Sequence, residues 1–287
     1  MRKKVDRRKN LLPPQLLLML SIMLSGEAVA FAGGLDPFQG VSGSLMIAGG
    51  TAHLPFMIEA AQRVHTAYPG IYINVVGGGS SLGIQKVGEG LVHIGNSGRP
   101  LSDAERAKYR LVSHPLALDG IAVVVHAGNP VSKLSREQIA GIFSGQICNW
   151  QELGGVDAPI MLYGRDQGSA TMEVFEQKLL GKDMPLALCK CNRISSNSVM
   201  RNIIAMDRNG IGFLSIGFLD WSKVKGISID GVVPSQQNAL NGTYTIARTL
   251  FLHTRENPSQ LTHLFVEYLK SSEGASMIQE AGYLPLP

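Results

Sequence analysis

Short apolar segments alternate with longer amphipathic ones from residue 44 to residue 279, and this alternation leaves few fold classes open. The short segments are rich in β-branched residues and end at Gly, Pro or Asn, as strands do. The predicted strands are Ser44–Ala48, Ile71–Val76, Ile121–Val125, Ile160–Tyr163, Ile211–Ser215 and Arg248–His253. The predicted helices are Pro55–Tyr68, Leu82–Glu89, one opened by Ser102, Ser135–Phe143, Ser169–Leu180, Ser198–Asp207, Ser259–Leu269 and Ser272–Gln279. The pattern predicts an α/β fold with mostly parallel sheets flanked by helices.

The first 32 residues differ from everything that follows. A basic segment, Arg2–Lys9, precedes an apolar run, Leu16–Leu24, and Ala28–Ala30 and Ala30–Ala32 offer small residues to a signal peptidase. The apolar run is too short to cross a bilayer. We expect a signal peptide, cleaved near residues 30–32, that exports the protein to the periplasm. A membrane anchor or a buried first helix is the alternative.

Charge and cysteine content exclude several classes of partner. Six of the 26 Lys and Arg and two of the 22 Asp and Glu lie in residues 1–32, so the remaining 255 residues carry 20 of each. This zero net charge argues against nucleic-acid binding, which requires a basic face. Cys148, Cys189 and Cys191 form neither a disulfide framework nor the paired spacing of a zinc site. We expect no metal and no cofactor.

Three predicted strand-to-helix junctions share one chemistry. Ala48–His53, Val76–Ser81 and Tyr163–Thr171 each place Gly and hydroxyl side chains where a helix begins. Free backbone N–H groups and the positive end of the helix dipole point outward there, which suits an anion. Arg165 adds a planar guanidinium that can hold two anion oxygens. Each junction alone is more typical of an ordinary N-cap or turn, but together they predict an oxyanion site. None has the form of a nucleotide P-loop.

Several motifs in one order resemble the phosphate-binding proteins of ABC phosphate-uptake systems, in their shorter bacterial form. Besides the three junctions, the motifs are Ile94–Pro100, Ala117–Val123, Ile142–Gly145, Asn149-Trp150 and Gly282–Pro285. The resemblance covers Gly43–Pro287 and implies a type II periplasmic-binding-protein fold. Two α/β lobes joined by two crossover strands would hold the ligand between them. We expect one lobe to comprise residues 43–123 plus 243–287, and the other residues 124–242.

The resemblance also implies a set of ligand-binding residues. They are Thr51, the Ala52 N–H, Ser80, Ser97, Gly98, Arg165, Ser169, the Ala170 N–H and Thr171. Gly98 departs from the family pattern, which often has Ser or Asp there, and an Asp would accept the proton of hydrogen phosphate. Discrimination against sulfate or molybdate would therefore fall to Ser97, the Gly98 backbone or Asp119. A binding protein for such another oxyanion is the alternative.

The resemblance to this family implies a binding protein without catalytic activity. The protein would act as a monomer that captures inorganic phosphate and delivers it to the permease subunits of an ABC transporter. One motif favours an enzyme instead, because Gly79–Gly83 satisfies the G-x-S-x-G pattern of a hydrolase nucleophile at Ser81. Such a hydrolase also needs a histidine after the serine. His93, His114, His126, His253 and His263 follow it, but none lies in a motif that marks a catalytic role.

Overall fold

The computed structural model describes residues 34–180 and 191–286. The predicted signal peptide and Cys189 lie outside these residues. Among the helices within them, none is long and apolar enough to cross a membrane.

Strands and helices alternate along the chain, as the sequence predicts. The strands are β1 Gly43–Gly49, β2 Ile71–Gly77, β3 Ile94–Ser97, β4 Leu111–His126, β5 Lys133–Leu134, β6 Met161–Arg165, β7 Asn192–Ile194, β8 Gly210–Ser215, β9 Val224–Gly226, β10 Ser228–Ile229, β11 Ala247–Arg255 and β12 Leu284–Pro285. The helices are α1 Leu54–Ala67, α2 Ser80–Gly88, α3 Asp103–Lys108, α4 Arg136–Phe143, α5 Ala170–Phe175, α6 Asn197–Met206, α7 Gln236–Leu240, α8 Gln260–Lys270 and α9 Ser272–Glu280. The α/β prediction is confirmed.

Local sequence signals fix several helix ends. The Ser102 hydroxyl accepts the Glu105 N–H and the Glu105 carboxylate accepts the Ser102 N–H, so a capping box starts α3. Ser135 and Gln138 start α4 in the same way. These reciprocal bonds satisfy N–H groups that the first helical turn leaves without acceptors.

The main sheet has the strand order β2-β1-β3-β11-β4-β8-β6-β7. The outer strands are parallel, since β1 pairs with β2 and β3, and β6 pairs with β7 and β8. The central strands β11 and β4 are antiparallel to each other. Gly49 is in register with both Gly77 and Asn96, so β1, β2 and β3 end at the same edge of the sheet.

Two large hydrophobic cores of the described residues lie along this sheet, and Ala48, Val87 and Val92 form a third, small cluster. The first core packs α1, α8 and α9 against β1 and β11, and the second core surrounds the end of β4 together with α4, α5, α6 and β8. Along β4 the buried side chains change from the first core to the second between Ala117 and Ile121. On the return they change between Ile246 and Leu250. The chain thus crosses from one core to the other twice, and the predicted lobe boundaries stay a prediction.

Candidate anion-binding site

The three junctions singled out in the sequence meet around one small cavity, called the junction cavity below. Its lining residues are Gly50, Thr51, Ala52, Gly79, Ser80, Gly98, Arg165, Ser169, Ala170, Thr171 and Arg248. They come from the ends of β1, β2, β3 and β6, the helical segments that follow, and β11. Every predicted ligand residue except Ser97 therefore lines one cavity, although no phosphate contact is thereby tested.

The first junction positions a hydroxyl and two N–H groups. A 3-10 turn, Thr51–His53, follows Gly50 and leads into α1, so the Thr51 and Ala52 N–H groups belong to a first turn without intrahelical acceptors. The Thr51 hydroxyl oxygen accepts bonds from Arg165 Nη2 at 3.3 Å and Asn197 Nδ2 at 3.1 Å. Because both lone pairs of this oxygen are occupied, its proton remains for donation to a ligand.

The second junction brings two loops into direct contact. Gly79 has a φ of +91°, and a Cβ there would lie 3.0 Å from the Gly168 carbonyl oxygen, so only glycine fits without strain. The Ser81 N–H donates to the same carbonyl at 3.2 Å. Ser80, the first residue of α2, is buried, and its hydroxyl oxygen accepts the Gly98 N–H at 3.0 Å. The Gly98 N–H is thereby already used within the protein.

The third junction leaves its donors free. Ser169 is the N-cap residue of α5, yet its side chain makes no capping hydrogen bond. The Ala170 and Thr171 N–H groups lie in the first helical turn, which has no acceptors for them within the helix. Since Ser169, Ala170 and Thr171 all line the junction cavity, these groups are placed to meet an anion there.

Arg165 places a positive charge at the junction cavity. Its side chain is held by bonds to the Ile194 and Ser195 carbonyl oxygens and to Asn197 Oδ1, at 3.0 to 3.1 Å. Burial, with the nearby Arg248 charge, lowers the pKa of Arg165 to about 10, so the guanidinium stays charged at neutral pH. No carboxylate of the described residues lies within 4.0 Å of it. A buried charge without a partner is costly, and an anion in the cavity would compensate it.

Arg248 is a second buried guanidinium that the sequence analysis missed. Its Nε and Nη2 donate to Asp119 Oδ2 at 3.1 and 3.0 Å, and the Ser215 hydroxyl donates to Asp119 Oδ1 at 2.8 Å. Burial raises the pKa of Asp119, although Arg248 and Ser215 act in the opposite direction. The available signal was the presence of opposite charges, Arg248 and Asp119, in two mostly apolar segments, although the sequence alone does not show that they pair. Asn197, which orients Thr51 and Arg165, gave no such signal.

Ser97 is buried but does not line the junction cavity. Its hydroxyl donates to the Arg99 carbonyl oxygen at 2.7 Å and accepts the Arg99 N–H at 3.2 Å. These bonds close a local turn after β3, which occupies the hydroxyl. A direct contact between Ser97 and a ligand stays an untested prediction that this geometry does not favour.

Ser81 is not arranged as a hydrolase nucleophile. The Gly79–Gly83 match does form the start of α2, but the Ser81 hydroxyl accepts a bond from Arg99 Nη2 at 3.0 Å. Among the described residues, no histidine is hydrogen-bonded to it. The general base that the enzyme interpretation needs is therefore not in place.

The protein has an α/β fold with two large cores, and segments from both cores line a cavity with hydrogen-bond donors. These features define a ligand-binding protein of the periplasmic-binding type. A model of the PBP superfamily domain matches residues 37–273. The phosphate-binding protein PstS of Bacillus subtilis is 34% identical over 281 residues, which are 94% of this chain and 93% of that protein. PstS of Pseudomonas aeruginosa is 29% identical and covers 95% of each chain. The chain belongs to the PstS family of the PBP superfamily.

Solved structures agree with this assignment. A putative phosphate ABC transporter substrate-binding protein from Clostridium perfringens, with bound phosphate, matches with a TM-score of 0.80 and 31% identity, over 85% of this chain and all of that one. An ABC-type phosphate transport receptor from Vibrio cholerae matches with a TM-score of 0.67 and 34% identity, over the same shares. The type II periplasmic-binding-protein fold predicted from the sequence is confirmed.

Proposed function

We propose that this protein captures inorganic phosphate outside the cytoplasmic membrane and delivers it to an ABC transporter permease. The observation that carries the proposal is the junction cavity, in which three helical N-terminal turns meet the uncompensated Arg165 guanidinium. The similar proteins from Bacillus subtilis and Clostridium perfringens, a phosphate-binding protein and a substrate-binding protein with bound phosphate, support the same ligand. They are binding proteins and not enzymes, in agreement with a role in capture.

Phosphate would be held by hydrogen bonds from neutral groups and one fixed charge. The Thr51, Ser169 and Thr171 hydroxyls and the N–H groups of Ala52 and Ala170 supply the first kind of donor. Arg165 supplies the second, and its planar guanidinium is already oriented by protein carbonyls. Charge-assisted hydrogen bonds of this type contribute about 1.5–3 kcal/mol each without being additive, so a few of them suffice for micromolar binding or better.

Hinge motion would open and close the cavity. In this proposal residues 43–123 plus 243–287 move against residues 124–242, and the ligand enters between them. Three bonds join these parts at the cavity: Arg165 to Thr51, Asn197 to Thr51, and the Ser81 N–H to the Gly168 oxygen. All three would break on opening, so a bound anion that bridges both parts would favour the closed form.

The remaining parts of the proposal concern location and partners. We infer that residues 1–32 direct export and are removed near residues 30–32, which leaves the mature protein in the periplasm. There it would act as a monomer, and the closed form would present both parts to the permease subunits. Intact-mass measurement of the exported protein tests the cleavage site.

Replacing Arg165 with glutamine tests the proposed function. Because the variant loses the buried charge and its bonds, we expect phosphate affinity to fall at least tenfold, equivalent to about 1.4 kcal/mol. Isothermal titration calorimetry on protein stripped of phosphate by unfolding and refolding measures the change. Arg193→Gln is the matched control, since Arg193 is exposed on the neighbouring strand and should not alter affinity. Circular dichroism confirms that both variants fold. Unchanged affinity of a folded Arg165→Gln would remove Arg165 from the site.

A further inference from the structure

The residues that line the junction cavity include hydroxyls, glycines, alanines and two guanidiniums, but no carboxylate. Asp119 is the acidic side chain bonded to one of them, and it lies behind Arg248, fully buried and outside the lining. Both of its oxygens are engaged, one with Arg248 and the other with Ser215. An anion in the cavity would therefore meet hydrogen-bond donors and no negative charge.

A carboxylate is the group that separates hydrogen phosphate from sulfate. It accepts the P–OH proton of hydrogen phosphate and repels the unprotonated oxygens of sulfate. A neutral hydroxyl does not discriminate in this way, because it can accept from a P–OH or turn and donate to an S–O oxygen. Ser169 is placed to do either, since its hydroxyl makes no capping bond.

We infer that this site selects tetrahedral oxyanions by size and charge and does not select for a proton on the ligand. Sulfate therefore binds in the junction cavity with an affinity close to that of phosphate. This inference rests on the proposed function and deepens it, because it defines the class of ligand that the same donors hold.

A substitution at Gly98 can change the selectivity of the site between phosphate and sulfate. It lines the cavity, and its φ lies outside the left-handed region, so an L-residue fits its backbone. A Cβ built there lies 2.7 Å from Arg248 Nη1, so the Arg248 guanidinium, which is bonded to Asp119, must move slightly to admit a side chain. An aspartate at this position would place a negative charge beside the ligand, and an asparagine would place the same volume without the charge.

Calorimetric titration of phosphate and sulfate at about pH 8, where phosphate is mainly the dianion, tests the inference on the wild type and on Gly98→Asp and Gly98→Asn. We expect the wild-type dissociation constants to differ by less than about tenfold. Gly98→Asp should increase the preference for phosphate at least tenfold over that of Gly98→Asn, because the two differ only in charge.

The outcomes separate the two proposals. Phosphate binding with sulfate more than about tenfold weaker would overturn the inference and leave the proposed function standing. Equal preferences in the aspartate and asparagine variants would also overturn it, because a carboxylate would then have no influence at the ligand. Binding of neither anion by the wild type would overturn the proposed function, and the inference with it.

Discussion

Replacing Glu173 with glutamine is expected to weaken phosphate binding about two- to fivefold without touching the cavity. Arg99, in the loop after β3, donates from Nη1 and Nη2 to the two Glu105 carboxylate oxygens at 2.8 and 2.9 Å and from Nη2 to the Ser81 hydroxyl. Its Nε lies 2.8 Å from Glu173 Oε2 on α5, which makes an ion pair. This ion pair joins residues on either side of the proposed hinge.

The magnitude follows from the exposure of the pair. The Arg99 side chain is 16% exposed and that of Glu173 is 43% exposed, so solvent screens the attraction on one side only. Exposed ion pairs contribute about 0.2–1 kcal/mol, and the fixed position of Arg99 places this pair at about 0.5–1 kcal/mol. If the pair forms only in the closed protein, Glu173→Gln makes the free energy of phosphate binding less favourable by this amount. Most of the change then appears as faster release of phosphate.

Stopped-flow release of phosphate and calorimetry measure the effect. Glu267→Gln is the control, because Glu267 forms an exposed ion pair with Lys270 within α8 and should leave binding unchanged. In an Arg99→Gln background, Glu173→Gln should have no further effect. A folded Glu173→Gln with wild-type release would show that the ion pair does not stabilise the closed form.

Two further predictions concern stability. Phe213 is fully buried, and its ring centroid lies 3.9 Å from that of Phe175, so Phe213→Ala should lower the free energy of unfolding, measured in urea, by about 3–5 kcal/mol. Met206 is 86% exposed, so the control Met206→Ala should change this free energy by less than about 0.5 kcal/mol. Equal effects of the two substitutions would contradict the burial of Phe213 in the second core. Burial lowers the pKa of His53 to about 3 and that of His253 to about 4. In the unfolded chain each histidine has its ordinary pKa of 6.5, so below this pH the unfolded chain binds protons that the folded protein does not. The free energy of unfolding should therefore fall as the pH is lowered from about 6.5 to about 4, and it should fall less steeply in His53→Gln. An unchanged pH dependence of the free energy of unfolding in His53→Gln would refute the lowered pKa of His53.

Elements with local signals were predicted well. The helix starts predicted at Ser102 and Ser135 are confirmed, as are helices with a clear apolar periodicity such as α1 and α8. Strand β3 was missed, because four residues that include Asn96 and Ser97 carry no alternating pattern. Only the last part of β4 was predicted, since Pro115 and polar neighbours hide its first half.

The candidate site was found where chemistry and chain position coincide. Glycines and hydroxyls at predicted helix starts are visible in the sequence, and the structure brings them together in the junction cavity. Arg248 was missed because its role depends on a partner in another strand, Asp119, and pairing between distant strands is not encoded locally. Ser97 was included on motif position alone, which does not determine where a hydroxyl points.

The position of β11 affects how the chain can fold as it is made. β11 lies between β3 and β4 in the sheet, although it follows both by a long stretch of sequence. During synthesis β3 and β4 therefore emerge with open edges, and the first core cannot close before Arg255 is available. Contacts between such distant segments form slowly. A chain whose first core closes this late stays unfolded for longer, and this suits the export that we propose.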